Sequence, residues 1–321
     1  IRATYGDGDK VSMSGAVHIY KGGSNKHLIK KLSGEIPMDR FGMTLASGDL
    51  NGDGKNDIII GAPYFTPSAA LYQNGAVYVY FGPDFSASVR LASSSTNKAL
   101  GWSVAAGDIN NDNISDLLMM ANGKVLGFYG NTTFTPAIDS PDVTISSPAT
   151  DFGRAITVFG DVDGDGFKDV AISAPKATVG TNRDTGMLFI VKGGAGARTI
   201  ALSPPPPAPV PVDLIVRIDG AKLFDRFGAS MVVMDAGDGD NLMDLVVSAP
   251  MADIPDAADP TKTNYLAGKV YLFKGKDLST TTTTPITIAA ATVYGGSEKY
   301  QGFGTWLAVG PEHHLFIGMP G

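Results

Sequence analysis

The chain has 321 residues, a formal charge of −7, 43% hydrophobic residues and no cysteine. It is long enough to bury a large core and too acidic to neutralise a phosphate backbone. It has no disulfide, thiolate metal site or cysteine nucleophile, and no apolar run long enough for a membrane helix. With 40 Gly and 20 Pro, it reads as many short strands joined by turns.

In chain order, the sequence repeats itself. Gly15 opens GAVHIYKG, an alternating strand bounded by glycine, with no strand of its own repeat predicted before it. Phe41 then begins FGMTLASGDLNGDGKNDIIIGAP, Leu100 LGWSVAAGDINNDNISDLLMMAN, Phe152 FGRAITVFGDVDGDGFKDVAISAP and Phe227 FGASMVVMDAGDGDNLMDLVVSAP. Each copy is an apolar strand, an acidic turn, a second apolar strand and a stop made of small residues, usually closed by proline. A third, half-buried strand follows at Gly75, Gly123, Gly186 and Gly268, and a weaker fourth precedes the next repeat, as in VDLIVRIDG ending at Gly220. A fifth copy, FGTWLAVGPEHHLFIGMP from Phe303, keeps the frame but has Pro311-Glu312-His313-His314 in place of the acids. Four strands recurring every 52 to 76 residues predict an all-β β-propeller of four-stranded antiparallel blades.

The acidic turns carry the chemistry. In Asp49-Leu50-Asn51-Gly52-Asp53-Gly54-Lys55-Asn56-Asp57, oxygen side chains at positions 1, 3, 5 and 9 converge, Gly54 permits the sharp turn, and the Lys55 carbonyl at position 7 completes the shell. An all-oxygen cage selects Ca²⁺. Loop two offers Asp108, Asn110, Asp112, the Ile114 carbonyl and Asp116, with Asn113 replacing the glycine. Loop three offers Asp161, Asp163, Asp165, the Phe167 carbonyl and Asp169. Loop four, one residue longer, offers Asp235, Asp238, Asp240, the Leu242 carbonyl and Asp244. Fourteen of the chain's 32 acids lie in these loops, and such crowding is costly without a cation. An EF-hand is excluded, because its twelfth position is Ile60 and the flanks read as strands.

Phe-Gly, then D-x-[DN]-x-D-G-x-x-D, then Gly-Ala-Pro resembles the FG-GAP repeat, and the whole chain resembles the N-terminal propeller of integrin α subunits. The same repeat occurs in glycosylphosphatidylinositol-specific phospholipase D and in microbial and algal surface proteins. The resemblance implies three to four Ca²⁺ ions bracing one face and a protein or glycan ligand on the opposite face. It also implies an extracellular or cell-surface setting, without nucleic acid or membrane insertion, and contacts to other domains or chains of a surface assembly. The blade units are 41–99, 100–151, 152–226 and 227–302, with 303–321 joined to 1–40 if one propeller closes over 1–321; related rings have seven blades. Ile1, without Met or leader, reads as a mature or excised piece.

The opposite-face loops run over 64–74, 176–185 and 251–267, with Tyr64, Phe65 and Tyr72 as candidate anchors weighed against ordinary rim packing. The stretch from Ser203 to Pro211 reads as polyproline II, and Asn131-Thr132-Thr133 as an N-glycosylation acceptor. No HExxH, G-x-S-x-G or P-loop occurs, so the chain is expected not to be an enzyme. The expected role is calcium-braced recognition or adhesion. The alternatives are a structural unit of a surface filament or wall, and an accessory propeller of a secreted hydrolase.

Overall fold

The computed structural model describes residues 2–4, 14–23, 27–66, 74–92, 99–202, 211–255, 263–279, 286–287, 291–296, 300–310 and 314–319. Tyr72, the prolines from Pro204 to Pro209, and Pro311 to His313 lie outside these residues. Apart from a single helical turn at Gly275–Leu278, the regular elements described are strands. The chain divides into two compact units, 1–145 with 196–199, and 146–195 with 200–321.

In the first unit, Thr44–Gly48, Asp57–Ala62, Ala76–Tyr80 and Ser88–Ala92 form a four-stranded sheet in sequential order. All its pairings are antiparallel. The next sheet repeats the order with Val104–Gly107, Asp116–Ala121, Lys124–Phe128 and Val143–Ser146. The central strands explain why the second strand of each repeat is a continuous apolar run. Ile59 and its cross-strand partner Val79 pack with Leu100, Val104, Leu117 and Met119 of the following repeat. Ile58, Ile60 and Tyr78 turn the other way, onto Val17, Ile19, Leu32 and Phe41. Successive side chains of one strand therefore enter two different cores, and the period-2 rule leaves no position for a polar residue. Two of the third strands, all expected to be half-buried, share this fate: Ala76–Tyr80 and Met187–Val191 are covered on both faces, whereas Lys124–Phe128 keeps an alternating pattern. In the first repeat the more exposed strand is the fourth, Ser88–Ala92.

A remnant of a second strand does precede Gly15: Arg2–Thr4 pairs antiparallel with Ala16–Tyr20, which pairs in turn with Leu28–Ser33. Three residues, Arg-Ala-Thr, carry too little apolar pattern to announce a strand. A fifth strand, Arg198–Ala201, lies beside Val143–Ser146, and the Arg198 N–H donates to the Asp142 carbonyl at 2.8 Å. The segment between the third and fourth strands of the third repeat thus makes an excursion that its sequence does not signal.

In the second unit, Ile156–Val158, Val170–Ala174, Met187–Val191 and Leu214–Asp219 build one sheet, with Ile286–Thr287 added in parallel at its edge. Met231–Met234, Asp244–Ala249, Lys269–Phe273 and Thr292–Gly295 build the next. Leu188 and Ile190 share one core with Phe227, Leu245, Val247, Tyr271 and Phe273. The fifth repeat is a short hairpin, Leu307–Val309 with Leu315–Ile317, and Trp306 and Phe316 there are exposed.

In four repeats the glycine opening a third strand admits the backbone of the next repeat. At Gly186, with φ at +95°, a Cβ would stand 2.2 Å from the Phe227 carbonyl oxygen, so only glycine admits the next Phe-Gly turn. Gly75 meets Leu100 in the same way. Gly123, also at positive φ, has nothing within 4 Å of its virtual Cβ. Gly186→Ala is therefore expected to cost roughly 3 kcal/mol or more and Gly123→Ala about 1 kcal/mol, compared by denaturant melts; equal costs would refute the packing role.

Candidate metal centres

Each acidic loop joins the first and second strands of a repeat, and its side chains fold the loop around themselves. In loop one, Asp49 accepts the Asp53 N–H on Oδ1 (3.1 Å) and the Gly54 N–H on Oδ2 (2.8 Å). Asn51 Oδ1 accepts the Asp53 N–H at 3.1 Å, and Asp53 Oδ1 accepts the Lys55 N–H at 2.8 Å. Loop two repeats the scheme: Asp108 accepts from Asp112 and Asn113, Asn110 from Asp112, and Asp112 from Ile114. Loop three repeats it again, with Asp161 accepting from Asp165 and Gly166, Asp163 from Asp165, and Asp165 from Phe167. These turns draw the side-chain oxygens inward while the backbone wraps outside them.

Two left-handed residues make the wrap possible. Position 6 is Gly54, Asn113, Gly166 or Asn241, with φ between 62° and 93°. Position 4 is Gly52, Asn111, Gly164 or Gly239, with φ between 60° and 82°. Only Gly and Asn occur at either position, the residues that take this conformation at least cost. The Gly or Asn at position 4 is legible in the four aligned loops, as is that at position 6.

The ninth position is fully buried in every loop. Asp57 accepts the Leu50 N–H on Oδ2 (2.9 Å) and the Gly82 N–H on Oδ1 (3.0 Å). Asp116 takes Ile109 and Gly130, Asp169 takes Val162 and Gly193, and Asp244 takes Ala236 and Gly275. Burial raises the Asp57 carboxyl and pushes those of Asp116 and Asp169 up to about 7, against the pull of the two N–H donors. The neighbouring loop carboxylates push in the same direction as burial.

The donor set fits a hard cation. Carboxylate oxygens of Asp161, Asp163 and Asp169 lie within 4.8 Å of one another, and so do those of Asp238, Asp240 and Asp244. Asp240 Oδ2 is buried without a hydrogen-bond partner, an orphaned oxygen inside loop four. Loop four differs at its entry, as its extra residue foretells. Asp235 Oδ1 accepts from Gly237 two residues on, and Asp235 is not among the converging carboxylates.

Two side chains near these loops escaped the sequence reading. Lys192 Nζ sits 2.5 Å from Asp163 Oδ2 and 3.7 Å from an Asp165 oxygen, and Lys274 Nζ sits 3.1 Å from Asp238 Oδ2. Each lysine precedes the glycine that closes the third strand. On the other rim, Phe65 is a core residue, edge-on to Tyr78 beneath the Arg90 guanidinium. It is no surface anchor. Tyr64 touches Arg40, 4.3 Å from its ring centre, and Trp102, whose ring is 5.8 Å away and tilted by 47°.

The FG-GAP repeat family model matches residues 41–80 and 152–191, first strand to third strand of two repeats. Integrin alpha-PS3 of Drosophila melanogaster is 30% identical over 181 residues, 51% of this chain and 16% of that protein. Integrin alpha-7 of Rattus norvegicus is 34% identical over 195 residues, 56% of this chain and 16% of that protein. Phosphatidylinositol-glycan-specific phospholipase D of Rattus norvegicus is 32% identical over 168 residues, 45% of this chain and 20% of that protein. The matched part of this chain spans no more than a fifth of these relatives. The chain carries FG-GAP repeats and is an all-β, integrin α-like propeller chain.

The raised carboxyls give the metal-free protein a distinctive pH response. Asp116 and Asp169 bind protons more readily folded than unfolded, where 3.8 is the ordinary value. Stability without metal therefore rises as pH falls from about 8 towards about 5, and gains nothing further below about 4. A divalent cation held by these loops would reverse the trend, because protons displace such an ion from its ligands. Thermal melts in chelator across this range check both; a metal-free melting temperature that falls steadily with acid would refute the account.

Proposed function

We propose that the chain is a calcium-braced recognition or adhesion propeller working at the cell surface or outside the cell, and not a catalyst. The observation that carries this reading is the same side-chain wrap in loops one, two and three, together with converging carboxylates in loops three and four. Asp49, Asn51, Asp53, Asp57 and the Lys55 carbonyl would hold Ca²⁺ in loop one. Asp108, Asn110, Asp112, Asp116 and the Ile114 carbonyl would do so in loop two, and Asp161, Asp163, Asp165, Asp169 and the Phe167 carbonyl in loop three. In loop four the holders are Asp238, Asp240, Asp244 and the Leu242 carbonyl, with Asp235 farther out. The bound ion supplies positive charge that cancels the repulsion among clustered carboxylates.

Strands of a blade alternate in direction, so the turns between second and third strands lie at the opposite end from the acidic loops. Stiffening one end leaves the other free to vary for a protein or glycan ligand. The cluster of Arg40, Tyr64 and Trp102 lies at that end, with aromatic rings and a cation suited to either ligand. Asn131, in the acceptor triplet, is exposed and accepts the Thr133 N–H on its own Oδ1. Among the described residues, no helix is long and apolar enough to cross a membrane. Similarity to the phospholipase favours a second reading, an accessory propeller beside a hydrolase. It keeps the same loops and the same calcium.

Calorimetric titration of Ca²⁺ into metal-stripped protein is expected to show three to four sites. Free ion at a hundredfold excess over Kd then adds about 2.7 kcal/mol per site, read as a raised melting temperature that chelator reverses. No uptake and an unchanged melting temperature would remove calcium from this account.

A further inference from the structure

The residue before the closing glycine of the third strand divides the loops into two kinds. In loops three and four it is Lys192 or Lys274, each ion-paired with the carboxylate at position 3, Asp163 or Asp238. In loops one and two it is Phe81 or Tyr129, and position 3 is an amide, Asn51 or Asn110. The two aromatics are engaged elsewhere. The Phe81 ring stands edge-on to Phe134 at 6.5 Å, and the Tyr129 hydroxyl donates to the Gly196 carbonyl at 2.8 Å. The two exchanges go together. Where position 3 gains a carboxylate, an ammonium comes with it; where position 3 is neutral, no ammonium stands at that place. Counted with this residue, the acid and amide positions 1, 3, 5 and 9 of each loop therefore carry the same formal charge, three negative, with Asp235 of loop four standing outside the converging carboxylates.

We propose that Lys192 and Lys274 are built-in counter-ions that compete with Ca²⁺ for the position-3 carboxylate of loops three and four. The four loops then form two affinity classes, tighter in one and two and weaker in three and four. This rests on the calcium reading above. Asp163 is nearly buried and Lys192 about a quarter exposed, 7% and 27% by side chain. A cation binding the same oxygen meets the ammonium at a few ångströms, where like charges repel appreciably even in a water-like dielectric. To admit the ion fully, the lysine must leave its carboxylate and swing outward, which costs affinity. In exchange, the ammonium holds a loop with four carboxylates together when calcium is scarce.

The test is calorimetric titration of Ca²⁺ into metal-stripped wild-type protein and a Lys192→Met variant, which keeps the aliphatic stem and removes the charge. The loop-three step is identified as the one lost in Asp161→Ala. Lys192→Met is expected to bind Ca²⁺ at that step about tenfold more tightly, ~1.4 kcal/mol, and to melt lower than wild type in chelator. Lys274→Met is expected to do the same for loop four. The double variant Asp163→Asn with Lys192→Phe, which copies loop one, is expected to bind at that step as loops one and two do. If wild type takes up calcium but Lys192→Met leaves the loop-three affinity unchanged or weakens it, the counter-ion proposal alone is overturned. If wild type takes up none, the calcium reading falls, and this proposal with it.

Discussion

The ninth aspartate of each loop is the interaction on which the blade depends. One buried carboxylate accepts an N–H from the start of its own loop and another from the end of the third strand. It is also the first residue of the second strand in three of the four repeats, and stands just ahead of it in the other. The two ends of the loop and a segment 14 to 31 residues further on are thus tied at one atom group, and charged acceptors make stronger hydrogen bonds than neutral ones. Burying an anion this way is expensive without a positive partner. A cation in the loop would offset the cost of the tether as well as the crowding of acids in the turn.

The same tether fixes where the apolar runs begin. With the loop end pinned, the second strand leaves in one register, and a slip by one residue would exchange its two cores. Ile58 and Ile60 face one core and Ile59 the other, so the strand has no solvent side to tolerate such an error. In the fifth repeat, whose turn has lost its acids, the two strands shrink to three residues each, with Phe316 largely exposed. The tether and the long buried strand are lost together.

Much of this was legible because the repeats align. Comparing four copies separates invariant demands from local accidents: the Asp at position 9, the Gly or Asn at position 6, the Phe or Leu before the glycine. What stayed hidden has a physical cause in each case. Arg198–Ala201 is a four-residue strand whose partner lies more than 50 residues away, and no local pattern encodes that pairing. The alternation of the third strands predicts one solvent face, yet Tyr78 is packed against both Phe41 and Phe65. The pairing of Lys192 and Lys274 with loop carboxylates is not legible either, since a single lysine in sequence does not reveal which carboxylate it will meet.

The sharing of each central strand between two cores bears on how such chains grow and shrink. The stretch that repeats in sequence runs from one Phe-Gly to the next, whereas a core is assembled from parts of two such stretches. Duplicating or deleting one whole repeat therefore joins halves that already match, and creates no new kind of interface. A cut placed inside a repeat strands half a core on either side. Copy number in such a chain is free to drift in whole steps while the internal frame of each copy stays fixed.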